Sequence, residues 1–224
     1  MDFEPVRKQI QNIIDQAALL VSSAGQVQLD SQNLLVAVQQ LYENTQTPVI
    51  ATLKVQYRSQ WDSDATLFAS DCGPACVAMI LEFHGTRIGI DQLSKEASMT
   101  SARKYTVPMD LIHAAELHGV KLVRRVGMTV ADLQAEVAAH RPVIALIHYG
   151  ALGDLRQDTA FKAGHWVVVI GADDKNVVVN DPDWRGDRRY KGDGLLVQRA
   201  TFEKAWADCI LDGNTANQCL VVGK

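Results

Sequence analysis

Asp71-Cys72-Gly73-Pro74-Ala75-Cys76 is the stretch of sequence that decides the fold. Pro74 suits the first position of a helix, where a missing N–H costs no hydrogen bond. The run that follows is apolar on nearly every face and stops at Gly85, which predicts a buried helix with a glycine cap. Unpaired N–H groups and the helix dipole favour the thiolate form of Cys72 at such a position. The stretch predicts a reactive cysteine, although an isolated cysteine is more often a small apolar core residue.

Two runs later in the chain supply partners for this cysteine. Residues 164–171 and 177–182 are rich in β-branched side chains and bounded by glycine or proline, which predicts two core strands. A hairpin centred on position 173 would place His165 opposite Asp181, with Cβ atoms about 4.5–5.5 Å apart. A carboxylate there can hold the imidazole in one tautomer, which gives the order nucleophile, base and orienting acid.

Asn180 is the alternative orienting group. Adjacent strand residues point to opposite faces of a sheet, so only one of Asn180 and Asp181 can face His165. The predicted register favours Asp181.

At these residues the chain resembles a known family, the papain-like cysteine peptidases of the bacteriocin-processing, double-glycine-leader kind. It is most similar to their stand-alone bacterial type. The matching stretches are residues 57–62 (Tyr-Arg-Ser-Gln-Trp-Asp), 71–85 and 164–182, and the resemblance runs from about Val55 to the C-terminus. Since no transporter segments accompany the domain, the leader-peptidase role of the transporter-linked members is not carried over.

The resemblance implies roles for Cys72, His165, Asp181 and Gln60. Cys72 would be the nucleophile, His165 the general base and acid, and Asp181 the residue that orients the imidazole. Gln60 would supply the side-chain amide of the oxyanion hole, with the backbone N–H of Cys72 as the second donor. The Asp-Pro pattern of the family also favours Asp181 over Asn180.

The pattern of elements predicts an α+β fold, and the resemblance implies the papain-like peptidase fold. A helical half carries the nucleophile and packs on a mostly antiparallel sheet that carries His165 and Asp181, with the site in the cleft between them. Further helices are predicted at residues 91–97, 108–119, 129–140 and 201–208. Strands are predicted at residues 121–126, 142–149, 165–171, 176–181, 195–198 and 218–222.

Two parts are predicted along the chain, a helical N-terminal extension at residues 1–48 and the peptidase domain at residues 49–224. Val6, Ile10, Ile13, Ile14, Ala17 and Leu20 share one face of a first helix, and Leu34, Leu35, Val38, Leu41 and Tyr42 share one face of a second. A helical hairpin on the flank of the enzyme, a propeptide, and an arm that docks a partner or a second copy all remain open.

Composition limits the possible partners. Hydrophobic residues make up 47% of the 224 residues, which predicts a compact soluble protein with a sizeable core. The net charge of −4 does not indicate a basic surface of the kind that binds nucleic acid. No apolar run is long enough for a membrane span, and no signal peptide is predicted, which favours a cytoplasmic location.

The sequence predicts neither a bound metal ion nor another cofactor. The chain has no CxxC pair and no HExxH motif. The four cysteines are a poor disulfide framework for this length. Cys209 and Cys219 could pair in an exported protein, or be thiols at the edge of the core.

Three functions are consistent with the sequence. The first is hydrolysis of peptide or isopeptide bonds through a Cys-His-Asp triad. The second keeps the chemistry but acts as an amidase, deamidase or acyl transferase on peptidoglycan or protein glutamine. The third is a catalytically idle binding module, against which the intact Cys, His and Asp count. Loops at residues 151–163 and 183–194 flank His165 and Asp181 and are predicted to form the rim of the substrate cleft.

Overall fold

The structure is a computed structural model that describes residues 4–23, 35, 38, 50–65, 67–99, 105–209 and 216–223. The chain divides into two compact units, Met1–Val49 and Ile50–Lys224. The roles predicted for the two parts stay predictions. Among the described helices, none is long and apolar enough to cross a lipid bilayer.

In the first unit, helix α1 spans Glu4–Ser23. On its predicted apolar face Ile10, Ile14 and Ala17 are half-buried, whereas Ile13 is 48% exposed. Most of the predicted second helix lies outside the described residues, and within it Leu35 and Val38 are helical.

The second unit contains all the helices and strands predicted for it, with ends displaced by at most three residues. Its helices are α2 (Cys72–Phe83), α3 (Ile90–Glu96), α4 (Pro108–Glu116), α5 (Val130–Ala138) and α6 (Arg199–Ala207). Its strands are β1 (Leu122–Arg125), β2 (Val143–His148), β3 (Gly164–Ala172), β4 (Asn176–Asn180), β5 (Leu195–Gln198) and β6 (Cys219–Val222).

The strands form one sheet in the order β1-β6-β2-β3-β4-β5, and all neighbouring strands in it are antiparallel. Helix α2 packs against β3, near the middle of the sheet. A helical half on an antiparallel sheet confirms the predicted α+β class.

Helix α2 is the centre of the core. Every residue from Ala75 to Leu81 is fully buried, and each large apolar side chain buried in this way contributes about 1.5–3 kcal/mol. The helix ends as predicted at Gly85, whose φ of +90° suits glycine. The Thr86 N–H donates to the Leu81 carbonyl (2.9 Å) and the Gly85 N–H to that of Glu82 (3.0 Å), which is the Schellman pattern.

The position predicted for Pro74 is wrong by two residues, because α2 begins at Cys72 and Pro74 is its third residue. The proline still lies in the first turn, where backbone N–H groups have no helical acceptor, so it costs no hydrogen bond there either.

The register predicted for the β3–β4 hairpin is also wrong by two residues. Val168 pairs with Asn180 and Val169 with Val179, and a bulge follows before Gly171. The turn lies further towards the C-terminus than predicted, and it is closed by the Asp173 carboxylate, which accepts the N–H groups of Lys175 (2.8 Å) and Asn176 (2.6 Å). His165 is consequently not opposite Asp181 in the ladder, and it pairs with Ile147 of β2.

Candidate active site

Cys72 stands at the N-terminus of α2, directly after Asp71 at the N-cap. The Asp71 carboxylate is buried and accepts the Leu67 N–H (2.8 Å) and the Ser94 hydroxyl (2.6 Å), so it fixes the turn that precedes the helix. The Cys72 N–H is one of the first-turn donors that no helical carbonyl accepts. The thiol is half-buried and lines a cleft.

Gly73 lets this end of the helix approach the sheet. A Cβ at Gly73 would lie 2.9 Å from Leu111 Cδ2 and 3.2 Å from Trp166 Cδ1. Trp166 follows His165 on β3. The glycine after the cysteine is therefore what brings the thiol close to the strand that carries the histidine.

His165 is buried and lies between two partners. Its Nε2 donates to Asp181 Oδ1 at 2.7 Å, because an ionised carboxylate can only accept. The Cys72 side chain lines the same recess and lies close enough to the ring to raise its pKa, and Nδ1 is the ring nitrogen left to face the thiol. The structure thus brings together Cys72, His165 and Asp181 in the order that the sequence predicted.

The charge on His165 depends on these partners. Burial alone lowers the pKa of His165, but the Asp181 charge, the hydrogen bond to Asp181 and the Cys72 side chain raise it. The outcome is a pKa of about 10, above the ordinary value of 6.5. The imidazolium form is therefore stable at neutral pH.

Asp181, and not Asn180, contacts His165. The Asn180 amide points to the other side of the strand, where it donates to the Val55 carbonyl (3.2 Å) and accepts the Gly194 N–H (3.0 Å). The residue in contact is the one that the sequence favoured, although the predicted register is wrong, and its orienting role stays a prediction. A shift of two residues leaves every side chain on the same face of the sheet.

Gln60 is buried and faces the same recess as Cys72 and His165. Hydrogen bonds tie its loop to the end of β4. The Gln60 N–H donates to the Pro182 carbonyl (2.9 Å), and the Ser59 hydroxyl donates to the carbonyls of Pro182 (3.1 Å) and Trp184 (2.8 Å). The position of the amide is thus fixed by the segment that carries Asp181.

Arg58 ties the same loop to α2. Its guanidinium is buried and bonds Glu82 Oε2 of that helix (Nη1, 3.2 Å) and the Asp64 carboxylate. The candidate oxyanion donor is therefore anchored to both halves of the fold.

Two residues that the sequence did not suggest complete the site. Asp183 accepts hydrogen bonds from Trp61 Nε1 (3.1 Å) and from the Tyr149 hydroxyl (2.9 Å). That hydroxyl also lies 3.4 Å from Asp181 Oδ2, and the Tyr149 ring lies 4.4 Å from the His165 ring, centroid to centroid. Burial, followed by the Asp181 and Asp183 charges, raises the pKa of Tyr149, which keeps it a hydrogen-bond donor.

The cleft has a recess on each side of Cys72. The polar recess, about 80 Å³, is lined by Gln60, Trp61, Ala69, Cys72, Asp158, Phe161, His165 and Asp183. The apolar pocket, about 320 Å³, is lined by Ala69, Ser70, Cys72, Tyr105, Thr106, Leu146, Phe161, Ala163, Gly164 and Trp166. Both loops predicted to form the rim contribute, through Asp158, Phe161 and Asp183.

A model of the Peptidase_C39-like family matches residues 52–209, which include all four predicted site residues. The chain belongs to this family.

Two curated proteins resemble parts of this C39-like chain. Cysteine protease effector 1 of Escherichia coli O1:K1:H7 is 25% identical over 142 residues, which are 62% of this chain and 24% of that protein. An uncharacterised protein of Methanothermobacter marburgensis is 33% identical over 111 residues, which are 50% of this chain and 64% of that protein. The chain thus spans less than two thirds of the length of either relative.

Solved C39 domains share the fold. A protein of Bacillus anthracis described as a C39-like peptidase has a TM-score of 0.58 at 19% identity, over 79% of this chain and 98% of that one. The peptidase domain of Streptococcus ComA has a TM-score of 0.51 at 16% identity, over 76% and 99%. A double-glycine motif protease of an AMS/PCAT transporter, solved with a leader peptide, has a TM-score of 0.50 at 18% identity, over 78% and 95%. The predicted papain-like fold and the bacteriocin-processing-like resemblance are confirmed.

The other three cysteines of the C39-like domain are unsuited to be nucleophiles. All are free thiols and all are buried. Burial raises the pKa of Cys76 well above its usual range, that of Cys209 to about 11 and that of Cys219 to about 12. Among the described residues, no group of three or more His, Cys, Asp or Glu side chains could hold a metal ion.

Proposed function

We propose that this protein is a cysteine-dependent hydrolase of peptide or isopeptide bonds, with Cys72 as nucleophile, His165 as acid and base, Asp181 as orienting group and Gln60 as oxyanion donor. The observation that carries the proposal is the position of His165, whose Nε2 lies 2.7 Å from Asp181 Oδ1 and whose ring lines the same recess as Cys72. Membership of a peptidase family supports it.

The reaction follows from these positions. The Cys72 thiolate attacks the scissile carbonyl and forms a C–S bond, while the oxyanion accepts hydrogen bonds from the Cys72 N–H and the Gln60 amide. His165 gives its proton to the leaving nitrogen as the C–N bond breaks. Neutral His165 then takes a proton from water, which attacks the thioester and releases the acid and the thiolate.

A peptide substrate is supported by two relatives. The Escherichia coli protein is named a cysteine protease effector, and the transporter-derived protease was solved with a leader peptide. The cleft of the present chain is open to solvent beside Cys72 and carries both polar and apolar surface, as recognition of a peptide requires.

The proposal is tested first by thiol labelling of the full chain. Iodoacetamide near pH 7 should alkylate Cys72 fastest, because the other three thiols are buried and their pKa values are raised. His165→Ala should slow this labelling and abolish turnover, by about 10⁵–10⁶-fold if the two residues act as a unit. Peptide mapping of the alkylated protein identifies the site, and preferential labelling of Cys76 contradicts the assignment.

Acylation is tested next by intact-mass analysis with a peptide-library substrate. A mass increase on Cys72 that is absent in Cys72→Ser, followed by release of a free acid, supports hydrolysis. Transfer of the acyl group to an added amine would instead indicate the transferase alternative, and release of ammonia from a glutamine side chain would indicate the amidase or deamidase alternative. Absence of any acyl-enzyme, with Cys72 still labelled by iodoacetamide, would leave the binding-module function.

A further inference from the structure

The base of the apolar pocket beside Cys72 is built from the sheet. Leu146 of β2 and Trp166 of β3 are directly opposed in the ladder, and both are almost fully buried at its base. Tyr105 and Phe161 stand at its mouth, 62% and 40% exposed. The pocket volume of about 320 Å³ lies at the lower end of the range for small-molecule sites. It is therefore large enough for a bulky side chain, and a glycine, which has no side chain, would not fill it.

The Phe161 side of the pocket is held in place by its own loop. Arg156 donates to the carbonyls of Gly153 (2.7 Å), Thr159 (3.0 Å) and Phe161 (3.1 Å), which closes the loop onto one guanidinium. The Phe161 ring packs against Tyr149 at 5.9 Å. The pocket is therefore largely formed before a ligand binds, and binding requires little further ordering of the residues that line it.

The proposed chemistry decides which part of a substrate enters this pocket. His165 must reach the leaving nitrogen, and Gln60 must reach the oxyanion. Both line the polar recess, and neither lines the apolar pocket. The leaving-group side of a bound peptide therefore extends along the polar recess, and the acyl side lies over the apolar pocket.

We infer that this peptidase selects substrates with a bulky apolar side chain, of the leucine, methionine or phenylalanine class, on the acyl side of the scissile bond. The inference rests on the proposed function and names its substrate. Glycine on the acyl side would leave Leu146, Phe161 and Trp166 without a partner. Since differences of a few apolar carbons change selectivity by about 10–200-fold, the ratio of kcat/KM for leucine or phenylalanine over glycine should be at least about 10-fold.

Matched peptides test this inference. One sequence is made with Gly, Ala, Leu, Met or Phe at each of the first few acyl-side positions in turn, and acylation of Cys72 is followed by intact mass. A preference for Leu, Met or Phe of about 10-fold or more at one position supports the inference. Equal or faster acylation by the glycine peptides overturns it while leaving the peptidase function standing. Acylation by no peptide contradicts the proposed function itself.

Two variants connect the preference to the pocket. Ala163→Phe fills the pocket from its exposed rim and should lower the Leu-to-Gly ratio by about 10-fold, mainly through slower acylation by the Leu peptide. Its control is Ala160→Phe on the same loop, since Ala160 is also exposed but lines neither recess.

Tyr105→Ala removes an exposed side of the pocket without disturbing the core, and it should lower the same ratio. Tyr190→Ala is its control, because Tyr190 is 70% exposed and lines neither recess. A Leu-to-Gly ratio that stays at the parent value in both Ala163→Phe and Tyr105→Ala overturns the inference.

Discussion

The two walls of the cleft are built in different ways. The Cys72 wall is one continuous stretch, in which Asp71 fixes the turn, Cys72 begins the helix and Gly73 allows the close approach to β3. The opposite wall joins segments that are distant in sequence, since Ser59 bonds Pro182 and Trp61 bonds Asp183. The nucleophile is thus placed by local structure, and the groups that act on it are placed by tertiary hydrogen bonds.

This difference has a chemical consequence. In the proposed mechanism, the Cys72 wall and His165 determine the reactivity of the thiol before substrate binds, whereas Gln60 acts only when negative charge develops on the substrate. Variants of the two kinds should therefore separate thiol reactivity from turnover, and each one below tests that separation.

The largest effect is expected for Gln60→Ala. It should lower kcat by about 10²–10³-fold, because one oxyanion donor is lost when negative charge develops on the substrate. The rate of Cys72 alkylation should not change, since iodoacetamide generates no oxyanion. Gln56→Ala is the control, because Gln56 is exposed and lies outside both recesses. Slower alkylation in Gln60→Ala would show that the wall with Gln60 also affects the reactivity of the Cys72 thiol.

Asp181→Asn should have a smaller effect, a loss of about 10–100-fold in kcat, against about 10⁴-fold for the orienting acid of a serine triad. A thiol is far more acidic than a serine hydroxyl, so attack by a cysteine depends less on the group that orients the imidazole. Asp187→Asn is the control, since Asp187 is an exposed aspartate that follows β4.

The pH profile gives this variant a second readout. The pKa of His165 is raised to about 10, so the parent should lose its imidazolium, and with it activity, as pH rises through that value. Asp181→Asn removes the charge that raises this pKa and keeps the burial that lowers it, so the alkaline limb should move to lower pH. An alkaline limb of kcat that does not move would contradict the assignment of Asp181.

The smallest effect is expected for Asp183→Asn. In the parent protein, Asp183 joins the two parts of the opposite wall. One amide oxygen cannot replace a carboxylate for both Trp61 and Tyr149, so one buried donor loses its acceptor at a cost of about 1–3 kcal/mol. We expect a decrease in Tm of about 2–4 °C per kcal/mol and a loss of about 10-fold in kcat with little change in KM. A lower Tm with unchanged kcat would mean that Asp183 supports the fold alone.

The features that the sequence predicted correctly are those with a local cause. The helix α2, its glycine end and the position of Cys72 at its start follow from one run of residues. The choice of Asp181 also depended on a local rule, the alternation of side chains along a strand, and this is why it was correct in spite of a wrong register. The register involves a bulge between Val169 and Gly171 and a turn closed by Asp173, and the pattern of apolar residues reveals neither.

The residues that the sequence missed depend on distant contacts. Tyr149 follows β2, and only the pairing of β2 with β3 brings its ring beside His165. Asp183 gave one usable signal, because it stands two residues after Asp181 and this spacing places both carboxylates on one face of an extended chain. Its bond to Trp61 joins residues too far apart in sequence for any local pattern to predict.

The tertiary construction of the opposite wall also determines when the site can exist. During synthesis the loop with Gln60 and the helix with Cys72 emerge first, and the segment from His165 to Trp184 follows at about 5–20 residues per second. Until that later segment pairs with residues 57–61, Cys72 has neither His165 beside it nor Gln60 held in place. Under the proposed function, the nascent chain is therefore inactive until its later segments have folded, a form of latency that needs no inhibitor.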